Sequence, residues 1–223
     1  MPTTWGDIKA DFYDAFRDTT TGFIDPEELA RMAKRIFRKI DDKLPFAFQE
    51  TSATLTLTGA ASYNLATLFT GFKMLLAIQY GQPGSAARVD LPYISLREFN
   101  QYPDAYSYSM KGTSTLVISS PGQQVLTGGT LEVLYYDRRM VQVHGDPNVL
   151  SDEIANDDDT FVIPERFLEA LEDGLLWLAF RKDRSHREDA IDSQKDFFND
   201  LAQMMQEEPR RVNRTHKYAR GAF

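Results

Sequence analysis

The feature that most constrains this chain is a change of hydrophobic period that occurs twice. Over Pro26–Asp42 the apolar residues Leu29, Met32, Ala33, Ile36, Phe37 and Ile40 recur on one helix face. The preceding Asp25-Pro26-Glu27-Glu28 supplies a cap, a first-turn proline and a capping-box acid. From Thr51 the period drops to two, and Ala53-Thr54-Leu55-Thr56-Leu57-Thr58 alternates as a half-buried strand does. Strand signals repeat at Lys73–Tyr80, Tyr106–Met110, Ser114–Ser119 and Thr130–Tyr136, between turns at Gly81-Gln82-Pro83-Gly84, Pro121-Gly122 and Gly128-Gly129. After Pro164 the helical spacing returns in Phe167, Leu168, Leu171, Leu175 and Leu178. A Ser185-x-x-Glu188 capping box then opens a last helix whose face is Ala190, Phe197, Phe198, Leu201, Met204 and Met205.

This order predicts an α+β fold: a helical bundle core, an inserted and mostly antiparallel β domain, and an extended C-terminal tail. The boundaries are N-terminal helices over 1–48, the β insertion over 49–143, an acidic loop and extended arm over 144–163, a helical hairpin over 164–206 and a basic tail over 207–223. Thr4 caps a short first helix to Phe16, and Ser95-Leu96-Arg97-Glu98-Phe99 reads as a capped helical turn. Gly174 in mid-helix costs about 1 kcal/mol against alanine, which points to a close neighbouring helix. Asp183-Arg184 is the tight connection of the hairpin. At the junction Ile163, Pro164 and Glu165, an extended tripeptide Phe161-Val162-Ile163 runs into a proline expected at the first helical position.

Composition excludes several function classes. At 223 residues, 42% hydrophobic and 26% charged, the chain can bury a real core as one elaborated domain or two small ones. The absence of cysteine excludes disulfides, thiolate metal sites and a cysteine nucleophile, and fits a reducing compartment. Apolar runs such as Met74–Ile78 are too short to span a bilayer. MPTTWGDIKADF has neither the basic start nor the apolar run of a signal peptide, so the expectation is a cytosolic protein where it is made. The net charge of −8 conceals an asymmetry, because Arg210, Arg211, Arg214, Lys217 and Arg220 follow Pro209 with no acid among them. A basic tail on an acidic body implies two different contact surfaces.

Catalytic chemistry finds little support. His144, His186 and His216 lie in a loop, a helix start and the tail, without metal-ligand spacing. Ser185-His186 invites a nucleophile reading, but the serine is better explained as a helix cap. Asp157, Asp158 and Asp159 end a loop, Val143–Asp159, that has no lysine or arginine. They could offer oxygens to a hard cation, as a metal-dependent hydrolase would need, but lack the alternating spacing and glycine of an EF-hand, so a solvated acidic loop is the better reading. Gly128-Gly129 and Gly81-x-x-Gly84 lack the context of a phosphate loop and read as turns. Tyr102, Tyr106, Tyr108, Tyr135 and Tyr136 could stack on bases, yet such a platform lies in a basic groove, so they are assigned to strand faces. No enzyme, cofactor or metal is expected.

Taken together, Leu44-Pro45-Phe46-Ala47-Phe48 leading into Thr54-Leu55-Thr56-Leu57, then Ala61-Ser62-Tyr63-Asn64-Leu65, the junction Phe161-Val162-Ile163-Pro164-Glu165, Ala170-Leu171-x-x-Gly174 and the Ala190 to Phe198 helix follow one another in an order that resembles the head-to-tail adaptor (connector) proteins of tailed bacteriophages. The resemblance covers roughly residues 25–206. It implies a virion structural protein of the portal vertex, or neck, assembled in the host cytoplasm. It implies a dodecameric ring of self-contacts docked on the portal protein after DNA packaging and joined to tail or nozzle proteins. Genomic DNA would pass through the lumen without sequence-specific binding, and no membrane would be involved. On this reading Arg210, Arg211, Arg214, Lys217, Tyr218, Arg220 and Phe223 form a portal-contact tail, and Asp157, Asp158 and Asp159 a tail-contact or intersubunit loop. The competing reading is a non-enzymatic nucleic-acid-binding module that uses the same basic tail, with salt-sensitive binding.

Overall fold

The computed structural model describes residues 2–16, 23–43, 46–82, 87–101, 106–119, 127–146, 149–183 and 186–207. In chain order its elements are α1 (Trp5–Phe16), α2 (Pro26–Lys43), β1 (Glu50–Thr58), β2 (Tyr63–Asn64), α3 (Leu65–Leu68), β3 (Phe72–Gly81), β4 (Arg88–Asp90), α4 (Leu96–Gln101), β5 (Ser107–Lys111), β6 (Thr115–Ser119), β7 (Thr127–Asp137), β8 (Val141–Gln142), β9 (Leu150–Ser151), β10 (Thr160–Phe161), α5 (Glu169–Lys182) and α6 (Arg187–Glu207). Two compact units result, one from the described residues of Met1–Gln49 and Arg139–Arg210, the other from those of Glu50–Arg138.

In the first unit, α1 starts on a reciprocal cap: the Asp7 N–H donates to Thr4 Oγ1 at 3.3 Å and the Thr4 N–H to Asp7 Oδ2 at 2.9 Å. α2 starts where the Glu28 N–H donates to Asp25 Oδ1 at 2.6 Å. The stripe Leu29, Met32, Ala33, Ile36, Phe37 and Ile40 is buried, as its spacing requires. Opposite it, Gly174 of α5 lets the two helices close up, because a Cβ there would lie 2.9 Å from Ile36 Cδ1 and Cγ2. α6 runs back along α5, with the Trp177 and Phe197 rings stacked at 5.8 Å. Met140, Val141, Phe161 and Ile163 complete this core.

The second unit has its own core, including Leu55, Leu57, Ile78, Tyr108, Leu116, Leu131, Val133 and Tyr135. Its larger sheet has the order β1-β7-β3-β4 and its smaller one β2-β6-β5, all pairs antiparallel. β7 and β3 approach so closely at Gly129 that a Cβ there would lie 2.6 Å from Tyr80 Cε2.

Four expectations are corrected. The α+β class holds, but the helical bundle core with an attached insertion does not describe the molecule. The strand-rich segment is a second unit with a separate core, and the helical unit contains a three-stranded sheet, β10-β8-β9, which sends Val141 and Phe161 inward. The loop expected over Val143–Asp159 contains β9, paired with β8. Pro164 is not the first residue of a helix. Its φ of −54° suits one, but its ψ of 140° keeps the chain extended. A single 3-10 turn follows over Glu165–Phe167, closed by the Phe167 N–H on the Pro164 carbonyl at 2.8 Å, and α5 begins only at Glu169. Phe198 and Met205, expected on the buried face of α6, are exposed, while Ala190, Phe197, Leu201 and Met204 are buried. The expected extended tail and the Ser185 cap lie outside the described residues.

Candidate functional site

Three features of the helical unit bear on function: the junction, the acidic loop and the two flanks of the α5–α6 hairpin. The junction is tied down on both sides. Phe161 pairs with Val141, the Val162 N–H donates to the Met140 carbonyl at 3.1 Å, and Ile163 is buried. Exposed Glu165 accepts a hydrogen bond from Thr3 Oγ1 at 3.1 Å.

The three consecutive acids of the loop occupy three different environments. Asp159 is fully buried, and its carboxylate accepts the N–H groups of His144 at 2.9 Å, Ala155 at 2.8 Å and Asn156 at 2.9 Å. Burial pushes this carboxyl up, but the His144, Asn156 and Ala155 donors outweigh it and hold it below the ordinary carboxylate value. Asp157 is exposed and pairs with Lys9 Nζ of α1 at 2.6 Å. Asp158 is exposed and makes no hydrogen bond or ion pair among the described residues. The loop also serves as the cap of α1, whose first amides have no partners within the helix. The Trp5 N–H donates to the Asp159 carbonyl and the Gly6 N–H to the Asp157 carbonyl, both at 2.8 Å. Farther along, Lys34 of α2 pairs with Glu153 at 2.9 Å and Asp152 at 3.2 Å. The Glu153 carboxylate, against the opposing effect of burial, raises Lys34 above its ordinary value. Among the described residues no group of three or more His, Cys, Asp and Glu side chains is placed to hold a metal ion.

The hairpin carries charge of opposite sign on its two flanks. On one, Asp173 of α5 faces Asp200 and Asp196 of α6, with Glu169 nearby. Burial, then these carboxylates and a hydrogen bond to Asp200, push Asp173 up to about 7. Burial and then Glu169 raise Asp200 as well, and its Oδ2 is buried without a hydrogen-bond partner. Asp173 therefore keeps its proton until the pH rises through about 7, and in that form it is hydrogen-bonded to Asp200. Paired carboxylates of unequal proton affinity can serve acid–base chemistry. The groove at the hairpin's turn, however, is not lined by either. That groove lies between Trp177 and Phe180 of α5 and Ala190 and Ile191 of α6, and Arg181, Asp183 and Arg187 also line it.

The remaining candidates are dispersed. His144 and His186 are exposed and far apart in the chain, with His186 Nδ1 2.8 Å from Asp189 Oδ2. Tyr108, Tyr135 and Tyr136 are buried, so they pack on strand faces, and only Tyr106 of the described four is exposed, stacked on Tyr80 at 6.0 Å. Tyr102, His216 and the tail residues Arg210, Arg211, Arg214, Lys217, Tyr218, Arg220 and Phe223 lie outside the described residues. Sequence reasoning missed the split of charge across the hairpin; the heptad spacing Ile191, Phe198 and Met205 was the signal that could have exposed it.

Compared with known families, residues 3–219 match the model of the SU10 adaptor protein family. The chain belongs to that family. This SU10 adaptor is thus a structural adaptor protein of a phage, a virion component, as the order of motifs in its sequence had implied. No curated protein matches it. No helix among the described residues of the adaptor is long and apolar enough to cross a membrane.

Proposed function

We propose that this SU10 adaptor is the subunit of a head-to-tail ring at the portal vertex, docked on the portal protein after DNA packaging and joined on its far side to tail or nozzle proteins. The observation that carries this reading is the family match over residues 3–219. The charge distribution supports it: the chain has a net charge of −8 although its last residues are basic. DNA binding strengthens with each lysine or arginine presented to the phosphates, so an acidic lumen lets DNA pass without holding it.

Within that reading the parts have separate tasks. Arg210, Arg211, Arg214, Lys217 and Arg220, with Tyr218 and Phe223 among them, form an arm that lies in a groove of the portal. Asp157 and Asp159 are engaged within the chain, which leaves Asp158 as the acid of that loop able to meet a neighbouring subunit or a tail protein. The extended Ile163-Pro164 step sets the direction in which the chain passes from β10 to α5.

Cryo-electron microscopy of particles tests the reading directly. A ring of this chain against the portal is expected; its absence from the portal vertex would reject the assignment and leave DNA binding through the basic tail as the next hypothesis. Truncation after Glu208 should abolish portal capture in a pull-down, and undiminished capture would reject the arm.

A further inference from the structure

α6 has two unlike sides. Ile191, Phe198 and Met205 are spaced one heptad apart, lie in one stripe, and remain 56%, 38% and 39% exposed. Towards the hairpin's turn this stripe opens into the groove of about 640 Å³ that Trp177, Phe180 and Ala190 line. The cations Arg181 and Arg187 also line the groove, together with one acid, Asp183. α2 adds two more, with Lys39 Nζ 5.0 Å from the centre of the Trp177 ring and Lys43 Nζ 5.5 Å from that of Phe198. None of these four has an ion-pair partner among the described residues. Successive residues of a helix turn by about 100°, so Asp196 and Phe198 emerge on either side of buried Phe197. Asp189, Asp196, Asp200 and Glu207 continue the Asp196 side, joined by Glu169 and Asp173 of α5; burial and then the neighbouring carboxylates raise the proton affinities of Asp173 and Asp200.

An apolar stripe left in water on a folded chain marks an interaction surface. A two-fold contact would bring the same flank from each copy together and set Lys39, Lys43, Arg181 and Arg187 against themselves. A head-to-tail contact sets those cations against Glu169, Asp196 and Asp200 instead, and contacts of that type generate rings when the rotation closes. We propose that a second copy of this chain occupies the groove, its acidic α5–α6 flank seated on the cationic and apolar flank of its neighbour. This inference rests on the ring reading above and specifies which surfaces make the ring.

Charge reversal tests it. One variant, Lys39→Glu/Lys43→Glu, carries two acidic flanks; another, Glu169→Lys/Asp196→Lys, carries two basic ones. Multimers are read by sedimentation velocity in concentrated solution, and the wild-type contacts are mapped by zero-length carbodiimide coupling of lysine to carboxylate with mass spectrometry, in solution and in particles. Each variant alone should lose multimers by about tenfold or more, and an equimolar mixture should regain them because both contacts are then complementary. Circular dichroism identifies any variant that fails to fold, in which case Ile191→Ser/Phe198→Ser, which leaves every charge in place, should give the same loss. Assembly of either reversed variant alone at the wild-type level, failure of the folded variants to assemble when mixed, or wild-type links confined to other surfaces overturns the proposal. A ring at the portal vertex built through other surfaces would overturn it while leaving the adaptor reading intact. Rescue by mixing in a chain absent from the portal vertex would do the reverse.

Discussion

Asp157, Asp158 and Asp159 are identical in sequence and unlike in environment, so replacing each in turn isolates what the loop does. The decisive change is Asp159→Ala. Asp159 is 0% exposed, and its carboxylate receives three N–H donors at 2.8–2.9 Å. Hydrogen bonds to a charged group contribute about 1.5–3 kcal/mol each, and water reaching the exposed Ala155 and Asn156 amides recovers part of three such terms, which leaves a loss of about 3–5 kcal/mol. That is a large share of the roughly 5–15 kcal/mol by which a domain is stable. The damage should reach α1, because the Asp157 and Asp159 carbonyls hold its first amides. Asp159→Asn keeps the shape but turns an NH₂ towards the N–H donors, and should cost less than the alanine. Asp158→Ala, at an exposed side chain without a partner, should stay within about 0.5 kcal/mol of wild type. Urea unfolding followed by circular dichroism gives the stabilities, and hydrogen exchange at Trp5, Gly6, Ala155 and Asn156 locates the change. The folded-state proton affinity of Asp159 is depressed, so its contribution is present above the unfolded value near 3.8 and is lost as the pH falls through the folded value. The difference between wild type and Asp159→Asn should therefore shrink in acid. An Asp159→Ala protein no less stable than Asp158→Ala would refute the reasoning.

Asp173 makes the opposite pH prediction. Its folded value is raised from 3.8 to about 7, so the folded chain binds more protons than the unfolded one between those limits and loses stability as the pH rises through that window. Asp173→Asn should flatten the melting temperature between pH 5 and 8, and an unchanged slope would show that Asp173 does not hold the proton. Gly174→Ala gains about 1 kcal/mol of helix propensity. It also drives a Cβ to 2.9 Å from Ile36, an overpacking that costs about 1–3 kcal/mol, so a net loss is expected that Ile36→Val relieves in a double-mutant cycle. Pro164→Gly should impair ring formation more than monomer folding, measured as cross-linked multimers against urea midpoint; equal damage to both would confine the junction to the fold.

How much of this was legible in the sequence depended on how local the cause was. Gly174 was readable because a glycine in mid-helix is anomalous wherever it occurs, and its cause, Ile36, lies on a helix whose own period is plain. β8, β9 and β10 are two residues each, too short to show any period, so the sheet within the helical unit left no trace. Alternation revealed most longer strands one by one, but not that β7 lies between β1 and β3, since partner order is not written in any strand. At Asp159 the deciding donor includes the His144 N–H, remote in sequence, which no run of acids reveals. Pro164 misled for a different reason: proline fixes φ and leaves ψ free, and ψ stayed extended. On α6 an apolar residue every third or fourth position suited two adjacent faces, and packing chose the one with Phe197 over the one with Phe198.

The strand order also solves a problem that the helical unit poses. α1 and α2 must meet α5 and α6 across the whole of Glu50–Arg138, and closing a loop costs entropy that grows with the logarithm of its length. In the larger sheet the last strand, β7, pairs with the first, β1, and Glu50 lies opposite Tyr136. The two ends of the intervening segment are thus held side by side by ladder hydrogen bonds within the sheet unit itself. Once that unit is folded, the long connection between the two halves of the helical unit is reduced to a short one. A meander with β7 at the far edge from β1 could contain the same strands and the same alternation, but would leave the chain ends apart. The pairing of β1 with β7 in the order β1-β7-β3-β4 therefore suits a segment that interrupts a discontinuous helical unit.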